Sequence, residues 1–150
     1  MKVSKILFAL VFVFSSFIAS AQEYKVVTIV ESIVPMGLGR SRIIETQGKV
    51  DVEALTTTRD GNKSNSGDVD RDEIKDSGEN LKETKLVNFY SLVGINFGNI
   101  ASNDAVIASK INYMVKQGWA VAFITSGVES DAGKDDKKGL FITRIFFVKK

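Results

Sequence analysis

Ser102-Asn103-Asp104-Ala105-Val106-Ile107-Ala108-Ser109-Lys110-Ile111-Asn112-Tyr113-Met114-Val115-Lys116-Gln117-Gly118-Trp119 is the stretch whose pattern decides the architecture. Val106, Ile107, Ile111, Met114 and Val115 recur at three- and four-residue spacing, which lines apolar side chains along one face of an α-helix. Ser102 or Asn103 supplies an oxygen to cap the first turn, and Asp104 puts a carboxylate where the helix dipole favours it. Gly118 ends the helix, because glycine enters the left-handed conformation that reverses the chain there. An apolar helix face has to be buried against another layer. Ile107, Ile111 and Met114 are therefore expected to face a sheet, with Trp119 closing the same core.

The flanking sequence supplies that sheet. Trp119 to Val128 and Leu140 to Val148 are rich in β-branched and aromatic residues and read as an antiparallel strand pair, joined by the polar run Glu129 to Gly139. Far upstream, Glu23 to Val34 carries apolar side chains on both alternating faces, as a central strand does. Pro35-Met36-Gly37-Leu38-Gly39 punctuates it, and Arg42 to Thr46 and Lys49 to Leu55 read as a second and third strand about a Gln47-Gly48 turn. Thr56 to Glu83 holds no aromatic residue, eight acidic and five basic side chains, and too little apolar surface to offset the entropy of ordering it, so it reads as a flexible insertion. Leu86 to Phe97 fits either a strand or, over Leu86 to Val93, a short helical turn. The expected fold is α+β: a small, mainly antiparallel sheet with one packed helix, in the order β-β-β, flexible insertion at 56–83, α, β-β.

The first residues predict export. Lys2 and Lys5 make a charged start, Ile6 to Ile18 an apolar stretch, and Ala19-Ser20-Ala21 a small-residue cleavage site, so residues 1–21 read as a signal peptide cut before Gln22. The apolar stretch is shorter than the ~20 residues a membrane-spanning helix needs. Residues 22–150 are expected to form one α+β domain in the periplasm or outside the cell, with no integral membrane segment after cleavage. The formal charge of +2 disappears with Lys2 and Lys5, leaving equal numbers of basic and acidic residues and no electrostatic reason to expect nucleic acid as a partner. The chain has no cysteine, so packing alone must hold the domain.

Two sets of short runs resemble known groups. Glu23-Tyr24-Lys25-Val26-Val27, together with Ile111-Asn112-Tyr113-Met114-Val115-Lys116-Gln117-Gly118-Trp119 entering a strand pair, resembles the domain of unknown function 4177 family, small proteins in which a strand, a helix and a β-hairpin stack in two layers. Ala120 stands where that family usually has Glu, and the long insertion before the helix is a further departure. Gly37-Leu38-Gly39-Arg40-Ser41-Arg42, Val93-Gly94-Ile95-Asn96-Phe97-Gly98-Asn99-Ile100 and Leu140-Phe141-Ile142-Thr143-Arg144 resemble a group of exported, uncharacterised bacterial proteins. Both resemblances imply a fold and export; neither implies an activity.

The absence of histidine and cysteine removes Ser-His-Asp and Cys-His catalysis and nearly all zinc and copper sites. No cofactor is expected. The remaining carboxylates cluster in polar loops, where solvent leaves a pKa unmoved. Two candidate sites survive. In Gly37-Leu38-Gly39-Arg40-Ser41-Arg42, glycines free the backbone N–H groups to turn inward, and Arg40 and Arg42, with Arg144, Asn96 and Asn99, make a candidate anion-binding set. The commoner reading is a hairpin turn whose arginines face solvent or pair with Glu31 or Glu45. Asp68, Asp70, Asp72, Asp76 and Glu79 fall at the ligand positions of an EF-hand-like calcium loop. Glu73, however, replaces its required glycine, so an acidic solvated linker is the simpler explanation. Trp119 and Arg144 are each read as a binding side chain or, more commonly, as a core residue and a cross-strand ion pair.

Two functions follow. The first is a non-catalytic interaction or ligand-binding module of the bacterial envelope, with an envelope protein or a small ligand as partner. The second is an enzyme acting on a small anionic substrate through an arginine-lined site. A concave site gathering the arginines with Asn96 or Asn99 separates the second from the first.

Overall fold

The computed structural model describes residues 22–33, 40–65, 69–76, 78, 80–91, 93–128 and 139–150. Residues 1–21, 34–39 and 129–138, on which the expected signal peptide, the expected turn from Pro35 to Gly39 and most of the polar run Glu129 to Gly139 fall, lie outside them. Five antiparallel strands form the main sheet: β1 (Glu23–Ser32), β2 (Arg42–Thr46), β5 (Leu81–Lys85), β8 (Ala120–Val128) and β9 (Leu140–Lys149), in the spatial order β5-β2-β1-β9-β8. Two smaller ladders complete the strands, β3 (Arg59–Asp60) with β4 (Lys63–Ser64) and β6 (Tyr90–Ser91) with β7 (Gly94–Ile95). The helices are α1 (Arg71–Asp76) and α2 (Phe97–Lys116). This is an α+β fold.

β1 is the central strand its composition predicts. It pairs with β9 along its whole length, from Glu23↔Lys149 to Ser32↔Leu140, and with β2 from Val27↔Glu45 to Val30↔Arg42. Its two sheet faces are unequal. Val27 and Ile29, with Ile43 on β2 and Ile145 and Phe147 on β9, are buried under α2 together with Met114 and Leu86. Val106, Ile107, Ile111 and Trp119 pack against that cluster, so the apolar stripe of the helix faces the sheet as expected. Each large side chain buried this way stabilises the fold by about 1.5–3 kcal/mol. The alternate residues Val30, Ile44, Ile142, Phe146 and Val148 face the other way and stay half-buried, and Val26 is exposed.

The third strand differs from the expectation. Lys49 to Leu55 does not join the sheet: residues 52–55 form a turn, the Asp51 carboxylate accepts from the backbone N–H of Glu53, and Val50 and Val52 are exposed. An aspartate side chain that bonds its own backbone two residues on competes with a ladder, and here it wins over the alternation. β5 takes the place instead, pairing from Arg42↔Lys85 to Thr46↔Leu81. It begins within 56–83, whose described part also includes β3, β4 and α1. No described residue of 56–83 is buried, in keeping with its composition.

The helix also starts earlier than Ser102 or Asn103. Asn96 is the cap, its side chain accepting from the Asn99 N–H at 3.2 Å. The Ser102 hydroxyl instead donates to the Gly98 carbonyl inside the helix. Asn103 is buried, its amide donating to the Val87 carbonyl at 2.8 Å and to Glu31 at 2.9 Å while its oxygen accepts from the Val87 N–H. It therefore fastens the segment before α2 to both helix and sheet. At the far end Gly118 adopts φ +85°, and the Trp119 N–H donates to the Met114 carbonyl, which turns the chain into β8.

Candidate functional site

The arginines and asparagines of the candidate anion site are not brought together. Arg42 and Arg144 alternate with the buried Ile43 and Ile145, so both lie on the face turned away from α2. Arg42 pairs with Glu83 at 2.6 Å, a partner the sequence did not nominate, while Arg144 stands opposite Thr28 and Thr125 rather than a carboxylate. Arg40 is exposed just before β2. Asn96 and Asn99 are at the start of α2, on the other side of the sheet. There Asn96 caps the helix, and Asn99 donates to the Asn88 carbonyl at 2.7 Å.

The calcium-loop spacing fares similarly. Asp68 and Glu79 lie outside the described residues. Asp70, Asp72 and Asp76 sit on and beside α1, a helix running through what would be the middle of a binding loop. Asp70 accepts from the Asp72 N–H, and Asp72 pairs with Lys75 at 2.7 Å. A residue that caps a helical turn and one held by a lysine are spent on local structure. Among the described residues no group of three or more acidic side chains gathers to hold a metal ion.

What the fold does assemble is a charged cluster no local pattern announces. Glu45, 5% exposed, points from β2 toward α2. Its carboxylate accepts from Lys25 at 2.7 Å and from Lys110, which reaches it from the helix. The Lys25 ammonium also lies 5.9 Å from the centre of the Trp119 ring, with Lys149 at 5.8 Å, and Lys110 lies 5.3 Å from Tyr113. Burial alone would push the Glu45 carboxyl up; the hydrogen bonds and charges of Lys110 and Lys25 more than offset it and hold the group below its ordinary value. A carboxylate so held, with both oxygens taken, is a poor proton acceptor. Glu31 moves the opposite way: burial raises it, the Asn103 bond lowers it and nearby Asp104 raises it again. No catalytic partner among the described contacts of Glu31 makes it a general base, since its hydrogen bond goes to a structural amide.

A hollow of about 550 Å³ opens where β1 begins and β2 ends, lined among others by Tyr24, Lys25, Thr46, Gln47 and Lys49. It is polar, and Lys25 is already engaged with Glu45.

The remaining surface feature is β8. All nine of its residues are exposed, Phe123 at 58%, Ile124 at 50% and Val128 at 61%. The segment is a strand, as its sequence predicts, and it lies at the end of the strand order among the described residues. No family model, curated protein or solved structure matches this chain.

Proposed function

We propose that this chain is an exported, non-catalytic interaction module of the bacterial envelope. The observation that carries the reading is the separation of Arg42 and Arg144 from Asn96 and Asn99 by the thickness of the sheet, so that among the described residues these four side chains do not converge on one anionic substrate. The charged side chains best placed for chemistry are occupied in structural pairs, Glu45 with two lysines and Arg42 with Glu83. What stays free is apolar strand surface, which serves contact rather than catalysis. The leader-like residues 1–21 support a place beyond the cytoplasmic membrane.

Fractionation of cells expressing the full chain, with mass spectrometry of the product, tests the export half: a soluble envelope protein beginning at or near Gln22 is expected, and an intact Met1 in the membrane or cytoplasm refutes it. Thermal shift with phosphate, sulfate and small carboxylates tests the other half. No stabilisation is expected. Stabilisation abolished by Arg42→Ala or Arg144→Ala overturns the reading in favour of an anion-binding enzyme or receptor.

A further inference from the structure

We infer that the hollow between the first residues of β1 and the chain leaving β2 receives the C-terminal end of an extended peptide, which lies along β1 as an added strand. This goes beyond the interaction reading above, which stands if the hollow binds nothing.

The sheet forks at this point. β1 pairs with β9 from Glu23 onward, but with β2 only from Val27↔Glu45. Past Glu45 the chain stays with β5 instead: Thr46 stands opposite Leu81, and the Gln47 N–H donates to the Asn80 carbonyl at 2.8 Å. Glu23 to Val26 and Thr46 to Val50 therefore diverge, and the hollow of about 550 Å³ is the space between them. Alternate residues of an antiparallel strand turn their N–H and C=O to opposite neighbours, so half of those β1 residues aim theirs into the fork. No described residue bonds them from that side. An open row of main-chain donors and acceptors takes up another strand with little regard to its side chains.

Two features select a chain end, and a carboxylate end. The fork is closed at Val27 and Glu45, where the paired strands lie about 4.8 Å apart and leave no room for a third between them. A segment following β1 inward thus has about 13 Å, roughly four residues, before it must stop. The place where it stops is positively charged. Lys25 and Lys110 both bond Glu45 there, so two ammonium groups face one carboxylate, and Lys25 keeps donors to spare. The Gln47 amide, which donates to Glu45 at 3.5 Å, and Thr46 flank it. An arriving carboxylate completes the charge balance, whereas an arriving ammonium would add a third positive charge. Glu23, the other carboxylate of the lining, lies at the mouth and stands opposite Lys149.

Entering carboxylate first, the peptide runs parallel to β1 and antiparallel to residues 46–50. Its side chains alternate between the face of Lys25 and the open face of Tyr24 and Val26, both of which are exposed, so small polar and apolar residues suit it. A small free carboxylate has no main chain to lay along β1 and gains too little to stabilise the protein.

Amide correlation spectra of isotope-labelled protein, purified from cells expressing the full chain, read this directly. The probe is an acetylated pentapeptide of alternating valine and threonine with a free C-terminal carboxylate, compared with the same peptide ending in a carboxamide. The carboxylate form should shift the amide signals of residues 23–26 and 46–50 saturably. The carboxamide should bind about tenfold more weakly, the worth of a hydrogen-bonded charge. Gln47→Glu, at an exposed position, should abolish that difference and leave the rest of the spectrum in place. An absence of saturable shifts at millimolar peptide overturns the proposal, as do equal affinities of the two forms for the wild-type protein or a difference that Gln47→Glu leaves unchanged. Shifts confined to Ala120–Val128 also overturn it and assign the peptide to the β8 edge.

Discussion

Lys110→Met tests the electrostatics of the Glu45 cluster, since methionine keeps most of the length of the lysine stem and removes the ammonium, which pairs with Glu45 and lies over Tyr113. Glu45 is 5% exposed, and the Lys110 side chain is 17% exposed against 27% for Lys25, so the bond removed is the better shielded of the two. A hydrogen bond to a charged group is worth about 1.5–3 kcal/mol, and because Lys25 still holds one carboxylate oxygen the expected loss at neutral pH is about 2 kcal/mol. The folded-state pKa of Glu45 lies below its ordinary value of 4.5, so its stabilising contribution is present above that value and fades as pH falls through the folded one. In the variant, burial opposes a single ammonium and the carboxyl titrates higher. The difference between the two proteins should therefore shrink once the pH falls below both titrations. Urea unfolding reads this out through the fluorescence of Trp119, the single tryptophan, which packs against the core and lies near Lys25. An equal loss at neutral and acidic pH would refute the reasoning and assign the role of Lys110 to its stem.

Two further outcomes follow from the helix. Met114→Ala should cost about 2–5 kcal/mol, and Lys116→Ala, on the exposed side, less than ~0.5 kcal/mol; chemical unfolding of the pair checks which face covers the core. Gly118→Val should destabilise although a Cβ there would meet only the flexible end of Lys149, nearest at an ordinary 3.4 Å, because φ is +85°. A non-glycine residue in that region costs about 1–2 kcal/mol, and more when β-branched, so Gly118→Ala should be the milder of the two in thermal unfolding.

The helix face, the central strand β1 and the β8–β9 pair were legible because their signals are local and repeated: apolar spacing, β-branched density, a glycine at a helix end. β5 was not, because Leu81-Lys82-Glu83-Thr84-Lys85 has the composition of a solvated linker and is a strand only through the ladder that β2 offers it. The start of α2 was misplaced for a different reason. Two clusters of cap-forming residues, Asn96 to Asn99 and Ser102-Asn103, lie one and a half turns apart, and the burial of Asn103 decides between them. The candidate site was legible only as residue types. Whether Arg42 and Arg144 share a face with Asn96 depends on register and strand order, and Lys110 meets Glu45 across 65 positions of chain, a distance at which no short motif operates.

The ten-residue ladder between β1 and β9 has a consequence for how the molecule comes into being. The strand at the centre of the sheet waits for a neighbour that is synthesised after every other described strand, with Glu23 opposite Lys149 and Val27 opposite Ile145. Until that neighbour arrives β1 has only the short β2 beside it, and the cluster of Val27, Ile29, Ile145 and Phe147 lacks half its members. Closing so long a span precedes any reward from its contacts, which makes assembly slow and all-or-none rather than progressive along the chain. A nascent chain of this sequence therefore leaves β1 without its longer neighbour until β9 has been made.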